Sequence, residues 1–413
     1  MPFISQVYNH IRQGHRKSRP LYTVSLMIFF WAIFDGIIAF ISPLVITEMG
    51  LSTAMMGIII GSSSLAGAFF DFLLCRVLSN TNFRRIYLFM LALSCVLPLI
   101  LWQAKTVWIY IIAMALWGLY YDFFHIATFD FVGRETKRGH SATFGVISVF
   151  SSLGYLLAPL LAGLVISEFV GFKTFLLAWT FLLIAIVFYF FLLLFTKKPA
   201  RYDKQGQCRP LSFLKEFRLW RKIGSFILPV LLLTLILNIN DAFFWTLGPL
   251  LSESLSALHG FGGLFMVAYT LPPLIVGWFV GGITMKFGQK RTAFAALLIG
   301  SLLLCSIFAL KNPFLLIAVS FTASFFLACA WPSINGAYGD YIAETPELGK
   351  EIATLQDSFA NIGYVVGPVL AGFIGGSVGY APAFSVLGII GALAALLLFY
   401  FTPRSINLKI ARR

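Results

Sequence analysis

The chain has 413 residues, of which 59% are hydrophobic and only 11% charged, and its formal net charge is +14. A soluble globule usually carries about 25% charged residues, so this composition excludes one and indicates a polytopic membrane protein. The basic excess does not call for nucleic acid, because helical membrane proteins gather Lys and Arg on their inner face.

Apolar stretches predict transmembrane helices near residues 21–46, 54–78, 86–102, 107–130, 143–166, 174–195, 225–250, 260–285, 293–310, 314–341, 353–376 and 382–402. Each is close to the roughly 20 residues that cross a bilayer core. The expected fold class is an all-α membrane protein of twelve transmembrane helices in two six-helix pseudo-repeats. The first apolar run starts near Leu21 and outlasts the roughly 7 to 15 residues of a signal-peptide core, so no cleaved leader is expected. Of the 30 basic residues only Lys105, Lys173 and Lys311 fall on one side of the predicted spans. The rest lie in the termini and in the loops after helices 2, 4, 6, 8 and 10, which predicts cytoplasmic termini and an integral plasma membrane protein, in a bacterium the inner membrane.

The organisation expected is an N-terminal bundle over residues 1–196, a cytoplasmic linker over 197–222 and a C-terminal bundle over 223–413. In the linker, Leu211, Leu214, Phe217 and Trp220 recur at three-residue spacing among Lys and Arg, the pattern of an amphipathic helix on the inner membrane surface. Phe3, Ile4, Val7, Tyr8 and Ile11, followed by Arg12, Arg16, Lys17 and Arg19, form a similar pattern at the N-terminus.

One half of the sequence repeats the other at a shift of 206 residues: Asp35 with Pro43-Leu44 falls on Asp241 with Pro249-Leu250, Gly57 on Gly263, Arg84 on Lys290 and Arg85 on Arg291. Asp35, Asp71, Asp122 and Asp241 lie within predicted helices 1, 2, 4 and 7, while Asp130, Asp340 and Asp357 lie nearer the cytoplasmic ends of helices 4, 10 and 11. An aspartate near a helix centre opposes insertion by roughly 2.5 to 3.5 kcal/mol, so the first four together oppose it by on the order of 10 kcal/mol. Ionisable groups kept at such a cost are candidates for function. His125, three residues after Asp122 on the same helical face, is the histidine inside a span and a candidate charge switch. Asn335 is its approximate repeat partner, beside a helix-breaking Trp331-Pro332, and Asn238 and Asn240 precede Asp241 as donors to a solute or to that aspartate.

Lys and Arg are confined to loops and helix ends, which disfavours polyanionic substrates. A cavity whose formal charges are carboxylates suits protons, organic cations or neutral molecules, with aromatic rings on hand for cation–π contacts. The five cysteines, Cys75, Cys95, Cys208, Cys305 and Cys329, show neither a disulfide framework nor metal-ligand spacing. No cofactor, metal, nucleic acid or catalytic residue is expected, and the protein is expected to act as a monomer.

Residues 154–163 read GYLLAPLLAG and residues 363–372 read GYVVGPVLAG. These segments resemble the Gly-x3-Gly-Pro-x2-Gly-Gly signature of helix 5 in the major facilitator superfamily, carried here by Gly154, Pro159 and Gly163 and by Gly363, Gly367, Pro368 and Gly372, with Ala158 and Ala162 replacing two glycines. Residues 281–291, GGITMKFGQKR, resemble that superfamily's loop after helix 8, with Lys286, Gly288, Lys290 and Arg291 in place. The first copy of the loop keeps only its basic pair, Arg84-Arg85, which leaves Asp71 inside helix 2. The resemblance implies a cavity lined by helices 1, 4, 7 and 10, walls from 2, 5, 8 and 11, and 3, 6, 9 and 12 outside. It is to the drug:proton antiporter branch, which implies a secondary transporter working by alternating access. Asp35 and Asp241 would exchange protons against a small lipophilic neutral or cationic solute, with Asp71, Asp122 and His125 tuning or relaying the proton. The alternatives are a proton symporter or uniporter of a neutral metabolite, a lipid flippase, a transporter-like receptor or scaffold, and, from Tyr121-Asp122 and Gly339-Asp340, an intramembrane aspartyl protease.

Overall fold

A computed structural model of the chain describes residues 2–77, 81–134, 140–166, 169–195, 213–259, 262–277, 279–345 and 348–402. Lipid offers no partner for a backbone amide, so these apolar segments satisfy their amides internally, as helices. The first half supplies α1 (Pro2–Glu48), α2 (Thr53–Val77), α3 (Phe83–Gln103), α4 (Val107–Arg134), α5 (His140–Val165) and α6 (Phe172–Phe195). The second supplies α7 (Phe213–His259), α8 (Leu264–Thr270), α9 (Pro272–Val276), α10 (Val280–Phe287), α11 (Gln289–Cys305), α12 (Pro313–Glu344), α13 (Gly349–Val378) and α14 (Tyr380–Phe401).

Among the described residues eleven helices are long and apolar enough to cross a membrane, and α8 to α10 form a twelfth span that bends by 65°. The single helix expected over 260–285 is therefore interrupted. Pro272 and Pro273 remove two backbone donors in succession, which interrupts the helix at Leu271, and the 65° bend follows Val276. Residues 197–212 of the expected linker, with Cys208, lie outside the described residues, and Phe213 already begins α7. The N-terminal pattern from Phe3 to Lys17 continues into α1, its side chains outside the described residues.

Local chemistry sets the helix boundaries. Asn82 caps α3 by accepting from the Arg85 amide at 3.2 Å, and Asn312 caps α12 by accepting from the Phe314 amide at 2.9 Å. The Asp130 carboxylate accepts from the Phe83 amide at 2.8 Å, which fastens the end of α4 to the start of α3. Gly288, at φ 84°, makes the turn between α10 and α11 that a side chain would strain.

Small residues decide how closely the helices approach. In the first half α1 packs on α5 and α6, and α4 on α2 and α3; in the second, α7 packs on α13, and α11 on α12 and α14. A Cβ built on Gly154 of α5 would lie 2.6 Å from the Phe29 carbonyl oxygen of α1, and one on Gly363 of α13 would lie 2.6 Å from the Asn238 Cβ of α7. The halves meet where α2 crosses α13: a Cβ on Gly57 would overlap the Pro368 carbonyl oxygen, and one on Gly372 would overlap that of Thr53. This seal lies near the α1–α2 and α13–α14 turns, on the face opposite the termini. α6 and α14 turn Val187, Phe190, Leu194, Leu393, Leu397 and Tyr400 outward, an apolar surface suited to lipid.

Gly154→Ala should therefore destabilise the protein by about 1 to 3 kcal/mol through overpacking, whereas Gly163→Ala, with nothing within 4 Å of its built Cβ, should be neutral; thermal unfolding in detergent compares the two. Gly57→Val should part α2 from α13 and raise, several-fold, the labelling of a single cysteine at Ser63 by a membrane-impermeant maleimide applied from the sealed face. Unchanged labelling would mean that this contact does not close that side.

Candidate functional site

The two repeat-matched aspartates hold equivalent positions, and each accepts from the tyrosine that opens the glycine motif of its half. Asp35 of α1 is 2% exposed. It accepts from Trp117 Nε1 at 2.9 Å and the Tyr120 hydroxyl at 2.5 Å, both on α4, and from the Tyr155 hydroxyl of α5 at 2.8 Å. Asp241 of α7 accepts from the Tyr364 hydroxyl of α13 at 2.6 Å and from the Tyr269 hydroxyl of α8. Tyr155 and Tyr364 each follow the first glycine of the repeated motif, so the glycine that lets the helices touch also brings the phenol to the carboxylate. All of these donors are neutral, so none carries a counter-charge into the membrane interior.

Tyr269 is held at both ends. Pro273 deprives the Tyr269 carbonyl of its usual i+4 donor, and the Ser324 hydroxyl of α12 fills that place at 2.7 Å. Its ring stacks on Phe244 with centroids 4.1 Å apart.

Both aspartates open onto one cavity of about 740 Å³, which extends past Phe129 and Asp357 toward the face that carries the termini. Asp122 and His125 also line it, whereas no Lys or Arg does among the described residues. Trp117, Tyr121, Trp245 and Trp331 supply aromatic wall. Asp122 sits beside Gly67 of α2, where a Cβ would come within 3.3 Å of its Oδ2. The His125 ring meets Tyr121 edge-on at 4.9 Å. No group of three His, Cys, Asp or Glu side chains among the described residues could hold a metal ion.

The structure thus brings Asp35, Asp241, Asp122 and His125 to one cavity. Asp71 belongs to α2 and its side chain lies outside the described residues. Asn238 lines the cavity while its amide donates to the Thr234 carbonyl at 2.7 Å; Asn240 donates to the Ile236 carbonyl at 2.9 Å and does not line it. Asn335 lies away from the cavity, where its oxygen accepts from Gln356 at 3.0 Å. Trp331-Pro332 does not break α12, which runs on to Glu344; Ala328, whose carbonyl loses its i+4 donor to Pro332, lines the cavity. Arg84 donates to the Leu193 carbonyl at 3.0 Å; Arg85, Lys286 and Arg291 are exposed and Lys290 is partly buried. Gly154 and Gly363 seat α5 and α13 on α1 and α7, Gly367 adds a contact with Ala242, Pro368 and Gly372 form the α2–α13 seal, and Pro159 lies within α5.

The residues that sequence reasoning missed are the donors Trp117, Tyr120, Tyr155, Tyr269 and Tyr364, and the cavity position of Asp357. For Tyr155 and Tyr364 the signal was present: identical Gly-Tyr pairs open both copies of the motif.

Comparison with known proteins agrees with this architecture. The family model described as Major Facilitator Superfamily matches residues 24–239 and 230–411. "Multidrug resistance protein MdtG" of Salmonella arizonae is 23% identical over 319 residues, covering 75% of this chain and 76% of its own, and that of Salmonella schwarzengrund is 23% identical over 318 residues with the same coverage. Among solved structures, the nucleoside transporter NupG superposes with a TM-score of 0.71 at 14% identity, over 92% of this chain and 99% of its own. The peptide transporter POT in complex with sulfate gives a TM-score of 0.74 at 14% identity, over 94% of each chain. The match across both halves, together with twelve spans in two repeats around a shared cavity, places the chain in the major facilitator superfamily of integral membrane transporters.

Proposed function

We propose that this transporter couples proton uptake to the efflux of small lipophilic compounds, neutral or cationic. The observation that carries the reading is the cavity itself: Asp35, Asp122, Asp241 and Asp357 face it, aromatic rings wall it, and no basic side chain lines it among the described residues. Such a lining attracts protons and organic cations, accommodates apolar bodies and repels anions. The 23% identity to proteins named for multidrug resistance supports the direction and the substrate class. Two bundles, residues 1–196 and 223–413, rock about the midplane aspartates, with both termini cytoplasmic, the cavity facing that side and the α2–α13 contact closing the other. Asp35 and Asp241 take up and release the protons, and Asp122, His125 and Asp71 tune or relay them.

In proteoliposomes with an imposed gradient of one pH unit, the protein should concentrate a quaternary lipophilic amine, which cannot follow the gradient by itself, by up to about tenfold over protein-free vesicles, the limit for one-for-one proton exchange. Asp35→Asn and Asp241→Asn should each bring the ratio close to one while facilitated exchange of the amine persists. Full gradient-driven accumulation by both variants would overturn the assignment of these residues, and accumulation of a dicarboxylate instead would overturn the substrate class.

A further inference from the structure

Among the three donors to Asp35, Trp117 stands apart in its chemistry and its place. Tyr120 is fully buried and does not line the cavity, whereas Tyr155 and Trp117 do. An indole carries one N–H and no acceptor, while a phenol can give or take a hydrogen bond. With Nε1 spent on Asp35 Oδ1 at 2.9 Å, Trp117 has only ring carbon left to meet what the cavity holds. The polar end of this side chain thus sits on the proton site and its π-system on the cargo space. Its height in the wall is set by its neighbour: a Cβ built on Gly118 would overlap the Ser63 carbonyl oxygen, so α4 lies tight against α2 here. The repeat does not copy the arrangement. A shift of 206 residues puts the buried Ala323 in the place of Trp117, and among the described residues the donors to Asp241 are both phenols.

An aromatic ring is negative on its faces and positive at its edge, where the indole N–H lies. A cation held over the face draws π-density toward itself and leaves the N–H a stronger donor. An ionised Asp35 acts along the same path in reverse, pushing density onto the ring and tightening its hold on the cation. Protonation replaces the charged acceptor with a neutral one, whose bond to the indole is about half as strong, and that help is lost. Cation and proton therefore oppose each other through one side chain, without having to occupy the same atoms. The titratable groups that face this unit are Tyr120 and Tyr155 at the carboxylate, and Tyr121, Asp122, His125 and Asp241 along the cavity.

We propose that Trp117 is a cargo-binding residue that also serves the proton exchange: its ring holds a cationic solute, and its N–H carries the arrival of that solute to Asp35, which then gives up its proton. This deepens the reading of Asp35 as a proton site and of the cargo as cationic, and rests on both.

Equilibrium binding of tetraphenylphosphonium, a permanently charged lipophilic cation, to the protein in nanodiscs tests the proposal. An Asp241→Asn background leaves Asp35 as the matched aspartate that titrates. There the affinity should rise from acid to neutral pH by a factor within the roughly 5- to 150-fold typical of coupled ligands. Trp117→Phe keeps a ring for the cation and removes the N–H. It should take away most of that factor while the affinity at acid pH stays within about threefold, the scale of one cation–π contact. Tyr120→Phe removes another donor to the same oxygen from outside the cavity, and should move the pH midpoint while leaving the factor as it was. Fluorinated tryptophan placed at position 117 alone keeps the shape and the N–H but weakens the ring face, so the affinity at neutral pH should fall with each added fluorine. An undiminished factor in Trp117→Phe, an equal loss in Tyr120→Phe, or no response to fluorination would overturn the proposal while leaving Asp35 as a proton site. If the cation bound without any pH dependence, or not at all, the parent reading would fall and the proposal with it.

Discussion

A carboxylate in the middle of a membrane protein must find partners within reach, and here each finds one of them because two helices touch. Asp35 and Asp241 are each served by a phenol on the helix that a glycine presses against them, Tyr155 after Gly154 and Tyr364 after Gly363. Glycine spacing, helix contact and satisfaction of the charge are thus one feature seen at three levels. Widening the contact by a methyl group moves the donor as well as the helix, so the duplicated motif is tied to the electrostatics of the site and not only to packing.

The repeat is faithful in its frame and unequal in its details. Asp35 has three donors and is 2% exposed, whereas Asp241 has two and is partly exposed to the cavity. The span that follows each aspartate differs too: α2 is continuous, while α8 to α10 is bent. Two equivalent carboxylates therefore sit in environments of different exposure.

Much of this was legible in the sequence. The spans follow from apolar run lengths, the two halves from the register that aligns Asp35 with Asp241, and the superfamily from Gly154 to Gly163 and Gly363 to Gly372. The donors were not legible, because a tyrosine in an apolar run reads equally as an interfacial anchor or a lipid-facing ring, and only the rotation of α4 relative to α1 decides that Trp117 and Tyr120 point at Asp35. Asn238 and Asn240 illustrate the opposite failing. Their amides promised donors for Asp241, yet a helix interior offers a carbonyl four residues back, and both amides turn to it. The helix break at Pro272-Pro273 was written in the chain, but a proline in a span signals a break or a pass-through alike, as Pro332 shows by leaving α12 intact.

The bond from Ser324 to the Tyr269 carbonyl gives that break a meaning beyond shape. A peptide oxygen robbed of its amide cannot be left bare in hydrocarbon, so as long as Ser324 supplies the missing proton the upper part of the eighth span stays keyed to α12. Lipid offers no substitute for that donor, so the aim of the Tyr269 phenol at Asp241 is tied to the position of a helix that makes no bond to the aspartate itself.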